Sequence, residues 1–357
     1  IRAINFSNII KIYKLSIVTG SVVSSYGILQ ISGRDFIPWD NPYNNMISTL
    51  GNPNFASALL SILTLMGFFS LFTKTLSVPF KLLAIYLICS SIFAIVESGS
   101  RQGLLVMIFS LLFYFSIYSV FKNKIVGVGI TILFGIMGLL IILAMLQKGP
   151  LTSLIYKQSV SVRGYYWRAG LEMFKSNPLS GVGVDRYGDF FKFFREPSYA
   201  LKYGFDITSN NAHNVFLQLF STGGLVLGFS YLAILTLILI IGAKSVKYSS
   251  GDTQKFNLLI LSSWIGFQSQ SLISIDNLGI SIWGWVLGGT ILGMYLNSQG
   301  EKIEENKSKK TIVNRSGIKI LQPLISAVIS IPILFFAYNL QKFESDTFFA
   351  RAYTDPR

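Results

Sequence analysis

Apolar runs of about 20 residues recur along this chain and limit most strongly what it can fold into. A helix needs about 20 apolar residues to cross the hydrocarbon core of a bilayer. Hydrophobic residues make up 51% of the sequence and charged residues 13%, whereas soluble domains carry about 25% charged residues. The sequence therefore predicts an all-α polytopic membrane protein.

Nine candidate membrane spans are expected. The first span is a weak candidate because it is rich in Ser and Gly, and Gly223-Gly224 interrupts the sixth span. The spans cover residues 14–31, 54–73, 79–96, 102–121, 125–146, 214–242, 255–275, 279–296 and 319–339. They predict a transmembrane domain over residues 1–340, with residues 341–357 as the truncated start of an outer-face helical extension. Because the chain begins at Ile1 without a signal-peptide pattern, we expect further helices before it.

The connections between spans alternate in basic content, which predicts the orientation of the chain. Lys and Arg number 16 in one set of connections, namely residues 1–14, 74–81, 122–124, 243–255 and 297–319. The other set holds five, over residues 32–53, 97–101, 276–278 and the tail after 340. Basic loops stay in the cytoplasm. Alternation then assigns the long loop 147–213 to the opposite side, which is periplasmic or extracytoplasmic.

The net charge of +14 is compatible with a nucleic-acid partner or with anionic lipid. In a membrane protein, basic loops set topology and contact lipid headgroups, so no nucleic-acid partner is expected. Cys89, the single cysteine, lies in an apolar run and excludes an internal disulfide and a cysteine-based metal site.

Loops as long as 147–213 are uncommon without secondary structure of their own, and they are usually functional. It carries nine basic and five acidic residues, and this net positive charge suits an anionic ligand or lipid headgroups. Residues 162–174 have apolar and aromatic residues at helical spacing, and Asn177-Pro178 should end that helix. The loop is therefore expected to carry short helices.

Two arginines in outer segments are candidates for binding phosphate, because guanidinium groups bind phosphate oxygens in pairs. Arg163 lies four residues before Trp167, so a helix would put both on one face, where the indole can stack on or orient the guanidinium. The alternative is an interfacial anchor without a ligand. Arg101 lies in the turn Glu97-Ser98-Gly99-Ser100-Arg101, and the alternative there is an ion pair with Glu97.

His213 is the only histidine of the chain, at the outer end of the sixth span. A lone histidine without Cys or acidic partners does not make a zinc site, so neither a metal nor a cofactor is predicted. Histidine does transfer protons near neutral pH. Asn211 and Asn214 beside it are candidates to orient the ring or bind sugar hydroxyls. The alternative for His213 is a helix-capping, hydrogen-bonded role.

Two glycine-containing segments have structural interpretations. The run Gly181 to Gly188 lacks the third glycine position and the βαβ context of a dinucleotide loop, so it predicts a turn or a close-approach loop. In Leu50-Gly51-Asn52-Pro53-Asn54, Asn52 is the expected helix cap and Pro53 the first helical residue.

Four segments together resemble the O-antigen ligase-like family, which includes O-antigen ligases, O-antigen polymerases and bacterial O-linked oligosaccharyltransferases. The resemblance covers roughly residues 45–240. It is carried by Gly51-Asn52-Pro53-Asn54, by Ser98-Gly99-Ser100-Arg101, by Ser161-x-Arg163-x-x-x-Trp167 with Asn177-Pro178-Leu179-Ser180-Gly181-Val182-Gly183, and by Ala212-His213-Asn214 leading into Gly223-Gly224. The spacing from His213 to these glycines is looser than in the ligases, so the subtype stays open.

The resemblance implies a GT-C-like membrane glycosyltransferase that is inverting and independent of metal. Its donor would be a glycan on undecaprenyl diphosphate, and its acceptor lipid A–core, a growing glycan or a protein, in lipopolysaccharide or surface polysaccharide biosynthesis. By this resemblance Arg101 and Arg163 bind the diphosphate leaving group and His213 assists transfer to the acceptor hydroxyl. Arg168, Arg186, Trp167, Asn211 and Asn214 are weaker candidates for the same site.

A transporter or flippase of a lipid-linked or anionic substrate is the alternative from another class. Such proteins place ionisable groups near the middle of the membrane, whereas the ionisable residues here collect in one outer region. Gln268 and Gln270 are the polar candidates within a span, and interhelical hydrogen bonding accounts for them equally. A non-catalytic membrane scaffold would not need the Arg and His set.

Overall fold

The computed structural model describes residues 6–39, 41, 46–73, 75–145, 149–155 and 158–308. Over these residues the fold is helical, with one 3-10 turn at Ser48–Leu50 and without a strand in the described ranges. The helices are α1 Phe6–Ile31, α2 Pro53–Ser70, α3 Val78–Glu97, α4 Arg101–Lys122, α5 Lys124–Met145, α6 Thr152–Ile155, α7 Gln158–Ser176, α8 Tyr187–Phe194, α9 Pro197–Tyr203, α10 Val215–Lys247, α11 Gly251–Ser271 and α12 Leu278–Ser308.

Six of the described helices are long and apolar enough to cross a membrane, namely α1, α2, α3, α4, α10 and α12. Helix α5 is also apolar along most of Lys124–Met145. Helix α11 has the length, but polar residues such as Asn257 and Gln268 lower its hydropathy. The span at 319–339 and the extension at 341–357 lie outside the described residues. The structure agrees with a polytopic helical membrane protein, while the nine-span count stays a prediction.

The chain divides into two compact units. The first comprises residues 1–155, 238–270 and 276–308, and the second residues 156–237, 271–275 and 309–357. The second unit contains most of the loop 147–213 together with the first half of α10, and the predicted boundary at residue 340 lies outside the described residues. The stretch after residue 308 again lies outside the described part.

Small residues let the helices of the first unit approach closely, as is common inside membranes. A Cβ on Gly103 of α4 would lie 2.5 Å from the Cβ of Ser57 in α2. The Ser61 hydroxyl of α2 donates to the Gly103 carbonyl at 2.6 Å. Ser24 of α1 and Ser90 of α3 share a hydrogen bond of 2.8 Å. These contacts hold α1 to α4 as one helical bundle.

Asn52 and Ser100 cap the two helices that begin at one end of this bundle. The Asn52 side chain accepts from the Asn54 backbone N–H, with Pro53 in the first turn, which confirms the predicted helix start. Ser100 likewise caps α4, whose first residue is Arg101. The Ser100 hydroxyl also donates to the Asn54 side-chain oxygen at 2.8 Å. The first two family-like segments therefore meet in the first unit.

Gln270 of α11 has the interhelical role that was one of its two predicted explanations. The Gln102 amide of α4 donates to its side-chain oxygen at 3.0 Å, with both residues buried. A buried amide needs such a partner in an apolar bundle. This pairing explains a polar residue within the membrane region without a transport site.

Candidate functional site

Helix α7 forms one wall of the second unit. The predicted helix at 162–174 is confirmed within Gln158–Ser176. The chain leaves it at Asn177, where the following proline has no backbone N–H to continue the helix. Its inner face buries Ala169 and Met173 in a cluster with Tyr187, Phe191 and Tyr199 of the next two helices. This aromatic core fixes α7 relative to α8 and α9.

Arg195 holds the loop that leads from α9 towards His213. Its guanidinium donates to the carbonyls of Ile207 and Phe205 at 2.9 and 2.8 Å and stacks on the Tyr199 ring at 5.7 Å. In the sequence, Arg195 is one of the nine basic residues of the loop 147–213, and no pattern distinguishes it from the others. Its structural role depends on backbone carbonyls that no sequence pattern marks.

Helix α10 is broken at Gly224, as the glycine pair predicted. Gly224 has φ 64° and ψ −161°, which is not helical. The loop after α7 supplies partners to the backbone around the break. Val182 N–H and Gly183 N–H donate to the carbonyls of Ser221 and Thr222 at 3.0 Å each, and Leu225 N–H donates to Pro178 at 2.7 Å. The glycine run is therefore a close-approach loop, as predicted.

His213 lies immediately before α10, at a position fixed from both sides. The Asn214 side chain accepts from Leu217 N–H at 3.0 Å and caps the helix. The Gln218 side chain accepts from Ala212 N–H at 2.8 Å. His213 itself has φ 51°, an uncommon conformation for a residue with a side chain. Such strain persists only where the surroundings impose it, and functional sites are frequent examples.

The His213 ring stacks on Tyr166 of α7, with centroids 5.3 Å apart and planes at 24°. Tyr166 is itself held, because its carbonyl accepts the Tyr187 hydroxyl at 2.6 Å. Burial, and then the nearby positive charge of Arg163, lower the pKa of His213 to about 4. The imidazole is therefore neutral near pH 7 and is able to accept a proton.

Arg163 is half-buried on α7 and makes no ion pair with any described carboxylate. Burial lowers the pKa of its guanidinium, which nevertheless stays charged at any working pH. A desolvated cation without a carboxylate partner favours binding of an anion. The charge of Arg163 lowers the pKa of His213. These two residues, both predicted from the sequence, are therefore neighbours in this unit.

The predicted role of Trp167, to stack on or orient the Arg163 guanidinium, stays a prediction. Among the described side chains, the cation–π contact of this helix belongs to Arg168, whose guanidinium lies 4.7 Å from the Tyr165 ring. The Trp167 indole N–H is buried without a hydrogen-bond partner in the described structure. Such an unpaired buried donor is uncommon.

The weaker arginine candidates are already engaged. Arg168 donates to both carboxylate oxygens of Glu196 at 2.5 and 3.1 Å, and this bond lowers the pKa of Glu196. Arg186 lies 3.4 Å from a carboxylate oxygen of Asp189 and 5.0 Å from the Phe190 ring centroid. Both pairs are partly exposed, so each contributes little to stability.

The two asparagine candidates differ. The Asn214 side chain caps α10, whereas helix capping was the alternative predicted for His213. Asn211 is half-buried, and its backbone carbonyl accepts the Ser209 hydroxyl at 2.8 Å. Arg101 belongs to the first unit, whereas the other candidates belong to the second. In the described ranges no three His, Cys, Asp or Glu side chains gather where they could hold a metal.

Tyr166 and Tyr187 are site residues that sequence reasoning missed. Tyr166 lies within the segment Ser161 to Arg168, which the sequence predicts to be functional. Its contact with His213, however, joins it to a ring 47 positions later in the chain. Only the packing of α7 against the start of α10 brings these two rings together.

The apolar helices and the polar second unit define a multi-pass helical membrane protein with an Arg–His site. Residues 84–232 match a family model described as O-antigen ligase, and this match supports a relation of that part of the chain to an O-antigen ligase-like family. Members of such a family are glycosyltransferase-like enzymes of the ligase or polymerase type. The matched range contains three of the four segments that carry the sequence resemblance, and Gly51 to Asn54 lie outside it. No curated protein matches the chain.

Proposed function

We propose that this protein transfers a glycan from undecaprenyl diphosphate to an acceptor hydroxyl at the periplasmic face of the inner membrane. The observation that supports this most directly is Arg163, a half-buried cation without a described carboxylate partner, beside the neutral His213. A diphosphate supplies the missing negative charge, and an acceptor hydroxyl supplies a proton for His213. The match of residues 84–232 to the O-antigen ligase model supports a lipid-linked glycan as the class of donor.

In the proposed reaction the acceptor oxygen attacks the anomeric carbon of the donor sugar. A new glycosidic bond forms as the bond between that carbon and the phosphate oxygen breaks, with inversion at the carbon. The electron pair leaves with undecaprenyl diphosphate, where Arg163 stabilises the developing charge. The acceptor proton passes to His213 Nδ1 or Nε2.

Arg101 is proposed as a second cation for the diphosphate. This role requires the turn before α4 to approach Arg163 and His213 in the working enzyme. Trp167 joins the site through its buried indole N–H, and Asn211 through its half-buried amide. Arg168, Arg186 and Asn214 have protein partners, so we give them positioning roles in the same site.

The proposed topology follows the basic connections. Nine spans in a GT-C-like arrangement would place the second unit outside the cytoplasm. The proposed lipid-linked donor would bind on that side. The reaction is proposed to need neither metal nor cofactor, because two cations can neutralise the leaving group.

The acceptor distinguishes three related functions within this proposal. Transfer to lipid A–core would make the protein a ligase, and transfer to a growing glycan a polymerase. Transfer to a protein side chain would make it an O-oligosaccharyltransferase.

Transfer by the purified protein tests the proposal. The protein in nanodiscs receives a labelled undecaprenyl diphosphate glycan and lipid A–core, free repeat units or a pilin-like protein. We expect product on one acceptor without ATP and with EDTA present. Normal activity of both Arg163→Ala and His213→Ala, at wild-type expression, would refute the mechanism, and loss of activity with EDTA would refute its independence of metal.

A further inference from the structure

A cavity in the first unit is lined by residues that the proposed Arg163 and His213 site does not use. Its volume is about 490 Å³, and it is lined by the last turn of α1, the connection that follows, and Glu97 at the end of α3. This volume lies within the range of small-molecule sites, about 300–1,000 Å³. The cavity therefore has room for a ligand.

The polar lining of this cavity excludes an anion. Asp35 and Glu97 contribute carboxylates, and none of the described lining residues is basic. Glu97 is exposed and pairs with no described cation. No described group of three metal-ligating side chains occurs here or elsewhere. The cavity suits a ligand that donates hydrogen bonds to carboxylates, as sugar hydroxyls do.

The remaining lining is apolar and aromatic. Trp39 is 40% exposed, and Ile37 and Met46 lie beside it in the wall. Pyranose rings have apolar C–H faces that pack on aromatic rings, whose faces carry partial negative charge. Carboxylates together with an accessible indole therefore fit a carbohydrate better than a small amine, which needs no apolar wall.

A hydrogen-bond relay holds these groups in place. The Trp39 indole donates to the Tyr26 hydroxyl at 2.6 Å, and that hydroxyl donates to Asp35 Oδ1 at 2.8 Å. Gln30 donates to Asp35 Oδ2 at 2.8 Å and accepts from Ser48 N–H at 2.7 Å. Fixed polar groups lose little conformational entropy on binding. The site is thus arranged before a ligand arrives.

We propose that this cavity binds an uncharged sugar residue of the glycan substrates. The inference rests on the proposed function, because Glu97 ends α3 and Arg101, the proposed diphosphate ligand, begins α4 three residues of turn later. A glycan bonded to that diphosphate would extend from the same end of the first unit. The sugar belongs either to the donor or to the acceptor, which share this chemistry.

The first experiment measures binding without transfer. The full chain in nanodiscs is mixed with neutral hexose and N-acetylhexosamine disaccharides, and contact is read by saturation-transfer NMR. We expect a signal in the wild type that falls at least five-fold in Trp39→Ala and Glu97→Gln. Glu172→Gln, an exposed carboxylate of the second unit, is the charge-matched control and should keep the signal. Displacement of the sugar by spermidine at equal concentration would instead assign the cavity to cations.

The second experiment measures transfer kinetics in the same variants. Losing a hydrogen bond to a charged group should raise KM about ten-fold, while kcat stays within about two-fold. A change in KM for the donor or for the acceptor identifies which glycan occupies the cavity. Unchanged KM values and binding, in variants with wild-type melting temperatures, would overturn the subsite. Sugar binding without any transfer by the wild type would instead overturn the proposed function.

Discussion

At the scale of single residues, Arg163 and His213 depend on each other. Burial and the Arg163 charge keep the imidazole neutral, so it is ready to accept a proton. The lack of a carboxylate partner in the described structure leaves the guanidinium ready to accept an anion. In an isolated peptide an imidazole has a pKa of about 6.5, so the low pKa of His213 depends on its surroundings in the fold.

Arg163→Ala should lower kcat/KM by about 10²–10³-fold, because it removes a cation from the developing charge of the leaving group. Arg163→Lys keeps the charge without the paired donors and should recover part of the loss. Steady-state transfer kinetics measure both effects.

Arg168→Ala is the matched control, since Glu196 and Tyr165 already engage this guanidinium. We expect a loss of less than about five-fold. An equal loss in Arg168→Ala and Arg163→Ala would contradict the special role of the unpaired arginine.

His213 should set the acid limb of the pH–rate profile. A folded-state pKa of about 4 keeps the base neutral at higher pH, so kcat/KM should fall only as pH drops towards 4. Bound diphosphate offsets the Arg163 charge and favours the imidazolium. The limb of kcat should therefore lie at higher pH than that of kcat/KM.

His213→Gln should lower the rate by about 10²–10⁴-fold and remove this limb. Profiles of the variant and the wild type, measured in the same nanodiscs, make the comparison. A kcat/KM limb that persists unchanged in His213→Gln would assign the titration to another group.

At the scale of elements, the break in α10 organises the second unit. The loop after α7 makes backbone hydrogen bonds on both sides of the break. These bonds fix residues 178–183 against residues 221–225. The helix before the break packs on α7, where the Phe174 and Phe220 rings lie 5.6 Å apart. These contacts determine where His213 lies relative to α7 and thus relative to Arg163.

Gly224→Ala should destabilise the protein by about 3 kcal/mol. Its φ and ψ belong to a region that essentially only glycine adopts, and a Cβ would lie 2.3 Å from the Leu179 backbone. We expect a lower melting temperature in nanodiscs together with lost transfer.

Gly135→Ala in α5 is the control for this substitution, because a Cβ there meets nothing within 4 Å. Helix propensity favours alanine by about 1 kcal/mol, so stability should stay equal or rise slightly. Equal melting temperatures of both variants would show that the break does not need glycine.

At the scale of the whole molecule, the four family-like segments meet two by two. Asn54 and Ser100 join one pair in the first unit, and the loop at 178–183 joins the other pair around Gly223-Gly224 in the second. The proposed chemistry needs Arg101 from the first pair and His213 from the second on one side of the membrane.

Cysteine labelling tests that common side. In a Cys89→Ser background, a membrane-impermeant maleimide should label Ser198→Cys of the second unit in intact spheroplasts. The positive-inside rule predicts that Ser250→Cys, between α10 and α11, reacts only after permeabilisation. Both positions are exposed in the structure. The reverse pattern would move the site to the cytoplasm.

Much of the helical fold, and Arg163 and His213 as the main candidate site residues, could be predicted from the sequence. Apolar runs near 20 residues specify membrane helices whatever their neighbours are. Asn52-Pro53 marks a helix start by local hydrogen bonding, and the glycine pair marks the break in α10, because both effects act within a few residues. Arg163 and His213 were found as an unusual cation and a lone imidazole.

What remained depended on contacts between distant residues. The stacking of Tyr166 on His213, the pairing of Arg168 with Glu196 and the buried Trp167 indole follow from how α7 packs on its neighbours. The pKa of about 4 at His213 is a consequence of burial, which periodicity does not report. Residue type and local pattern determined which reactive groups this chain carries between residues 158 and 214. Only tertiary packing decided which of them stay unpaired and ready to react.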